Sequence, residues 1–368
     1  MEKSSQQEPR PLVACSGLDL PELMVDLARA LAGKGPALGF GAVISTHVPE
    51  RIAFATSTTG STGNPKEVGL SASAVLASAR ASNSFLGATF GQVWSLLLPL
   101  THIAGVNVLV RSLELGTSPI DLRAARGTMG FKKADFTAIV PTQLFRALNG
   151  DTELLEHLKN CRAVLVGGAA LAHSIAMDAE KAGINIVRTY GMSETCGGCI
   201  YNGEPLQGVE VKIIDERVAI KGPTLATTYI NNESAWLERF EDGWFLTSDR
   251  GIITDGKLQI LGRADDLIIS GGENISINAI EESLKSRFAG IELAAFALPD
   301  REWGSSLHIA IAEDALISDE EITLFLAQTF GEAAKPKGFY RLSALPLIGI
   351  GKVDRSALVR LFDHGEAE

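Results

Sequence analysis

Several things are missing from this chain of 368 residues, and each absence excludes something. No apolar run reaches the roughly 20 residues that a membrane-spanning helix needs, so membrane insertion is not expected. Met1–Arg10 is polar and lacks the apolar stretch of a signal peptide; it reads as a loose terminus, and export is not expected. No fibrous or solenoid period recurs. Basic tracts are absent too. Lys and Arg total 33 against 44 Asp and Glu, a net charge of −11, which argues against general nucleic-acid binding. Cysteines are few: Cys15, Cys161, Cys196 and Cys199, without a signal, read as reduced thiols of a cytoplasmic protein. Cys196-Gly-Gly-Cys199 has the spacing of half a zinc site or a redox pair. No second CxxC or His pair completes it, so these cysteines are assigned to packing.

What remains is an ordinary globular composition, 46% apolar and 21% charged, at a length suited to two or three domains. Leu20–Ala32 has apolar residues at helical spacing and stops at Gly33. Arg51–Thr56 is a short apolar run, and an Ala-rich helix follows over Ser71–Phe85. Strands are expected at Val93–Leu100, Ala163–Val166 and Ile184–Arg188, with helices such as Thr142–Leu148 and Ser174–Ala182 between them. That alternation predicts an α/β fold: a large N-terminal domain with parallel-rich α/β layers. From about residue 209, short strands and the turn signals Asp242-Gly243 and Asp255-Gly256 indicate a β-rich subdomain. Leu261–Asp266 is a junction. Beyond it, helix Asn278–Phe288, strands near Ala294–Leu298 and Leu307–Ala312, and helix Asp319–Thr329 make a small α+β C-terminal domain.

The chemistry gathers in five segments. Thr58–Lys66 reads T-T-G-S-T-G-N-P-K. Gly60 and Gly63 let backbone approach a ligand, while Thr58, Thr59, Ser61 and Thr62 offer hydroxyls and free N–H groups to a phosphate. Pro65 stiffens the turn and Lys66 supplies a compact cation. The Walker pattern GxxxxGK[ST] is not met. Tyr190-Gly-Met-Ser-Glu-Thr195 places an aromatic, a carboxylate and a hydroxyl at the end of a strand. Trp244–Gly251 sets Asp249 in a turn, where a carboxylate could accept both ribose hydroxyls. Leu261–Asp266 (LGRADD) runs into Ile269–Ser276 (ISGGENIS), and Gly349–Arg355 (GIGKVDR) presents Lys352.

In this order and spacing the five segments resemble the adenylate-forming superfamily of acyl-CoA synthetases, acid-activating domains of peptide synthetases and luciferases. The likeness covers roughly residues 50–356. It implies an ATP-dependent acid–CoA ligase working through an acyl-adenylate, with ATP, Mg²⁺ and CoA as cofactor and co-substrates. It implies an N-terminal domain over 1–263 and a mobile C-terminal domain over 264–368 that turns about Asp265. By the same likeness Thr58–Lys66 holds the β- and γ-phosphates, Gly167-Gly168-Ala169 lies along the adenine, Tyr190 stacks on it, and Gly191 also binds the nucleotide. Glu194 coordinates Mg²⁺, Thr195 contacts the α-phosphate, Asp249 and Arg263 grip the ribose, and Lys352 is the catalytic lysine of adenylation. These cations and the metal would answer the repulsion between anions that a net charge of −11 otherwise aggravates.

Compactness, and the wording T-H-I-A-G-V at Thr101–Val106, Y-G-M-S-E-T-C-G-G-C and S-G-G-E-N-I-S, resembles the short o-succinylbenzoate–CoA ligases of actinobacterial menaquinone synthesis. His102 matches the histidine that many acyl-CoA synthetases place beside the acyl and pantetheine pocket; a lone histidine there otherwise packs or caps. An acid with two carboxylates needs donors for the one that does not react. Arg188, Thr101, Asn107 and Ser193 are candidates, although an arginine near a strand end also suits a surface ion pair. The resemblance leaves open another aryl or fatty acid, or a non-catalytic adenylate-binding protein. Four departures stand out: Thr59 in the loop, Glu67 where glycine usually follows the lysine, Ile277 where proline often opens a helix, and a shortened Arg217–Asn232 stretch. Glu67 brings a negative charge beside a triphosphate unless its side chain points away. The expected partners are small molecules, with a homodimer the default assembly.

Overall fold

The computed structural model describes residues 9–15, 19–59, 65–123, 133–263, 267–270, 273–288, 290–300, 303–348 and 352–362. The chain divides into two compact units. The first runs to Ile214 and includes Ala219–Thr247 and Ile253–Leu258; the second comprises Asp215–Val218, Ser248–Ile252 and the chain from Gln259 onward.

Two sheets build the first unit. One has six strands in the order β15 (Thr228–Tyr229), β5 (Pro65–Ser71), β4 (Ile52–Thr59), β2 (Ala37–Phe40), β1 (Arg10–Ala14) and β3 (His47–Val48). The other has seven, in the order β12 (Glu204–Pro205), β11 (Gly197–Tyr201), β10 (Ile186–Met192), β9 (Ala163–Val166), β8 (Phe136–Ile139), β6 (Trp94–Leu96) and β7 (Ile120–Asp121). Strands β7, β6, β8, β9 and β10 pair in parallel. Every residue of β8 and β9 is buried, which is why both read as unbroken apolar runs.

Helices α1 (Leu20–Leu31), α2 (Ala72–Phe85), α3 (Ile103–Glu114), α4 (Pro141–Leu148), α5 (Thr152–Asn160), α6 (His173–Lys181) and α7 (Glu233–Leu237) complete the unit. Asp19 caps α1 by accepting from Glu22 N at 2.9 Å, and Leu23 and Leu27, one turn apart, are buried. Ser71 caps α2 in the same way, through Ala74 N. Between the second sheet and helices α4 to α6, Leu144, Leu158, Val164, Val166 and Ala179 share one core cluster.

Three expectations need correction. The strand expected over Val93–Leu100 is only Trp94–Leu96; just beyond it the Leu97 carbonyl accepts from the Gln143 side chain instead of a neighbouring strand. β10 starts at Ile186 and runs to Met192, so Tyr190-Gly-Met lies within the strand; antiparallel pairing with β11, from Thr189↔Tyr201 to Met192↔Gly197, carries it onward. Asp249 is not in a turn. It lies mid-way along the eleven-residue β17 (Trp244–Thr254). The turns sit at Asp242-Gly243 and Asp255-Gly256, where all four residues hold positive φ as such hairpin turns require. β13 (Glu210–Ile214), β14 (Arg217–Lys221), β16 (Phe240–Glu241) and β18 (Lys257–Arg263) complete the β-rich segment.

In the second unit β19 (Leu267–Ser270), β20 (Glu273–Ser276), β21 (Leu293–Asp300), β22 (Gly304–Ala312) and β23 (Gly338–Leu342) form a sheet ordered β20-β19-β22-β21, with β23 beside β22. Helices α8 (Ile277–Arg287), α9 (Asp319–Phe330) and α10 (Arg355–Phe362) accompany it, with the short pair β24 (Leu347–Ile348) and β25 (Lys352–Val353). Ser276 caps α8, and Ile277 in the first turn is buried in the core with Ile280, Leu293 and Ile309. A buried aliphatic anchor thus replaces the proline. Arg355 donates to Asn278, Glu281 and the Ala295 carbonyl, fastening α10 to α8 and β21. Among the described residues no helix is long and apolar enough to cross a membrane.

One buried histidine sets a pH limit on the first unit. His157 on α5 is 4% exposed, and its Nε2 lies 2.8 Å from Ser95 Oγ. Burial lowers its pKa from 6.5 to about 4. Between those values the unfolded chain binds a proton that the folded chain refuses, so folding stability is whole above about 6.5 and falls as pH drops toward 4. Urea denaturation at pH 7 and pH 5 is expected to show that loss, and His157→Gln to lessen the difference between the two.

Candidate active site

The site of the first unit starts from the alternation of one strand. Successive side chains of a β-strand face opposite ways, so Lys66 and Glu67 on β5 diverge. Strand β5 pairs with β4, Thr58 opposite Lys66 and Thr59 opposite Pro65. Gly60, Ser61, Thr62 and Gly63 lie outside the described residues.

Glu67 turns away from the lysine. It is buried, and its carboxylate accepts from Ile44 N, from Ser45 N at 3.1 Å and from the Ser45 hydroxyl. Asn231 Nδ2 donates in turn to Ser45 Oγ at 3.0 Å. The extra negative charge therefore holds the Ile44–Ser45 backbone, which resolves the departure noted in the sequence.

Lys66 faces the other way, its Nζ 5.0 Å from the centre of the Tyr229 ring. The Tyr229 hydroxyl donates to Glu194 Oε1 at 2.8 Å. One aromatic residue thus touches both the lysine and the carboxylate singled out in the sequence. Strand β15 accounts for this: Tyr229 lies opposite Val68 in the ladder, Ile230 N donates to Glu67 O, and Ala226 N donates to Glu194 O. Burial first, then the charge of Glu194, raises the Tyr229 pKa and keeps the phenol a donor. The only sequence signal of Tyr229 is its place in the shortened Arg217–Asn232 stretch.

Glu194 sits in the 3₁₀ turn Ser193–Thr195 that ends β10. Thr195 is fully buried. Its hydroxyl accepts from Met192 N at 2.9 Å and lies 2.7 Å from Gly197 O, so it fixes the turn from inside. Behind the turn, Cys196 takes a left-handed conformation, and its carbonyl accepts from Ser78 Oγ and from Asn107 Nδ2 at 2.7 Å. Asn107 is itself 1% exposed, so it braces this turn. Cys196 and Cys199 are fully buried, and burial raises both thiols, Cys199 to about 12. A Cβ on Gly191 would stand 2.0 Å from Gly197 O, so glycine is needed where β10 pairs closely with β11.

Gly167-Gly168-Ala169 follows β9. A Cβ on Gly167 would meet Thr189 Oγ1 at 2.1 Å, bringing this backbone against the residue before Tyr190. Tyr190 and Ser193 are half-buried, and Arg188 is exposed on β10. His102 starts α3 with its Nδ1 2.9 Å from Thr101 Oγ1, and a Cβ on Gly41 would lie 2.8 Å from the Thr101 carbonyl. Asp249 on β17, Arg263 at the end of β18 and Lys352 on β25 belong to the second unit. Asp265, the expected hinge, is outside the described residues.

A profile of AMP-binding enzymes matches residues 7–230, the stretch that carries all of this geometry except Asn231, Asp249, Arg263 and Lys352. The chain belongs to the AMP-binding enzyme family. Among curated AMP-binding relatives, a probable 2-succinylbenzoate–CoA ligase of Mycobacterium tuberculosis is 37% identical, covering 94% of this chain and 96% of that one. A 2-succinylbenzoate–CoA ligase of Enterococcus faecalis is 31% identical over 83% of this chain and 68% of its own. Among solved AMP-binding structures, o-succinylbenzoate CoA synthetase from Bacillus subtilis, in complex with its acyl-adenylate intermediate, superposes with a TM-score of 0.75. It is 25% identical, over 94% of this chain and 82% of that one.

The Glu67 network yields a direct test. Glu67→Ala removes the acceptor of two backbone N–H groups and is expected to cost about 1–3 kcal/mol of stability, read as a lower urea midpoint.

Proposed function

We propose that this AMP-binding enzyme is an acid–CoA ligase that joins o-succinylbenzoate to CoA by way of an acyl-adenylate. The observation that carries this reading is the likeness to the mycobacterial ligase, which spans 94% of this chain and 96% of that one. The contact of Tyr229 with both Lys66 and Glu194 supports it, since an acid-activating site needs a cation for phosphate beside a carboxylate for metal.

The carboxylate oxygen of the acid attacks the α-phosphorus of ATP and pyrophosphate leaves. The CoA thiol, losing its proton, then attacks the acyl carbon and AMP leaves. Lys66 and the Thr58–Lys66 loop hold the terminal phosphates, Tyr190 covers the adenine beside Gly167–Ala169, and Asp249 and Arg263 hold the ribose. The Glu194 carboxylate accepts no other hydrogen bond among the described residues, so it keeps a hard oxygen for a metal. Magnesium, which is commonly held by one or two carboxylates and substrate phosphates, would there neutralise the triphosphate. Lys352 is the cation of the adenylation step only. The part from 264 onward then turns about Asp265 to admit the thiol, and His102 lies beside the acyl and pantetheine path. Arg188 and Thr101 are the groups proposed to meet the carboxylate that does not react. The protein works in the cytoplasm as a homodimer.

Acid-dependent ATP–pyrophosphate exchange tests this reading, with thioester formation followed for a panel of acids. o-Succinylbenzoate is expected to exceed benzoate and fatty acids; a preference for either of those sinks the substrate assignment. Lys352→Ala is expected to lower exchange by at least about a hundredfold, in line with loss of an electrostatic transition-state contact. Thioester formation from preformed acyl-adenylate should change little in that variant, and equal loss in both steps would contradict the two-stage reading.

A further inference from the structure

Lys66 and Glu194 both touch Tyr229, yet among the described residues no ion pair joins them. Two opposite charges that share a neighbour are drawn together as the local dielectric falls, and a pair formed in the empty site would have to break before a nucleotide bound. Tyr229 stands between the two. Its ring face meets the ammonium, its hydroxyl meets the carboxylate, and it is 3% exposed. The ring is not free to swing. Trp236 packs edge-on against it at 5.2 Å and itself stacks on Phe245 at 5.2 Å. The backbone on either side is fastened too, by Ala226 N to the Glu194 turn and by Ile230 N to β5.

We infer that Tyr229 is a positioning residue, holding Lys66 and Glu194 as two separate charges so that each meets its part of the metal–nucleotide complex. This rests on the ligase reading above. The hydroxyl acts through Glu194 and so governs the metal; the ring acts through Lys66 and so governs the phosphates. Replacing the residue can therefore separate the two functions. Tyr229→Phe keeps ring and packing while removing the donor. Tyr229→Leu removes both.

The test is calorimetric titration of ATP into the full-length protein, without acid so that nothing turns over, in the presence and absence of MgCl₂. For Tyr229→Phe, ATP affinity without metal should stay within about twofold of wild type. The tightening that Mg²⁺ brings should shrink about ten- to a hundredfold, as expected for one hydrogen bond to a charged group. Tyr229→Leu should also lose about fivefold in the absence of metal, as the ring contact to Lys66 goes. In a Glu194→Gln background, Tyr229→Phe should add nothing. A Tyr229→Phe protein with wild-type Mg²⁺ dependence overturns the inference, as does a phenylalanine effect that persists in Glu194→Gln. A wild-type protein that binds no ATP overturns the ligase reading itself, a result distinct from either of these.

Discussion

The alternation of one strand separates two charges that follow each other in the chain, and the site is arranged around that separation. On β5, Lys66 faces Tyr229 while Glu67 accepts hydrogen bonds from the Ile44–Ser45 backbone on the other side. If both pointed one way, the carboxylate would neutralise the lysine and repel a triphosphate. Facing apart, Glu67 becomes a brace. It immobilises the strand whose next-door residue must keep its aim, at a position where glycine would supply no such tie.

β15 extends the same logic. This two-residue strand pairs with β5, and its flanking N–H groups reach Glu194 O and Glu67 O, so it couples the lysine strand to the carboxylate turn. The glycines of the Tyr190–Cys199 segment act toward the same end. Gly191 lets β10 lie close against β11, Gly197 lets β11 lie close against Asn107 on α3, and the turn with Glu194 joins the two strands. The Cys-Gly-Gly-Cys spacing is thus a matter of close packing, with both thiols held protonated by burial.

Much of the fold was legible because its signals are local. α1, α4 and α6 follow from apolar spacing, and β9 from an unbroken apolar run. The sequence signal for β10 begins two residues early and stops four short, because Tyr190-Gly resembles the start of a loop and only the pairing with β11 extends the strand. Asp249 resembles a turn residue for a related reason: polar Thr-Ser-Asp-Arg has the look of one, while the positive-φ pairs at 242–243 and 255–256 are what end the strand. Lys66 and Glu194 were legible as residue types in a family order. Tyr229 and the part played by Glu67 were not, since each draws its meaning from a residue well removed in sequence, Glu194 for the one and Ile44–Ser45 for the other.

That the chain activates its acid at the α-phosphate of ATP is the central claim, and the path of one oxygen atom tests it most directly. o-Succinylbenzoate labelled with ¹⁸O in its carboxylates, turned over with ATP and CoA, should give AMP carrying a single ¹⁸O, with unlabelled pyrophosphate. ADP together with ¹⁸O in inorganic phosphate would mean activation at the γ-phosphate, and would contradict the account.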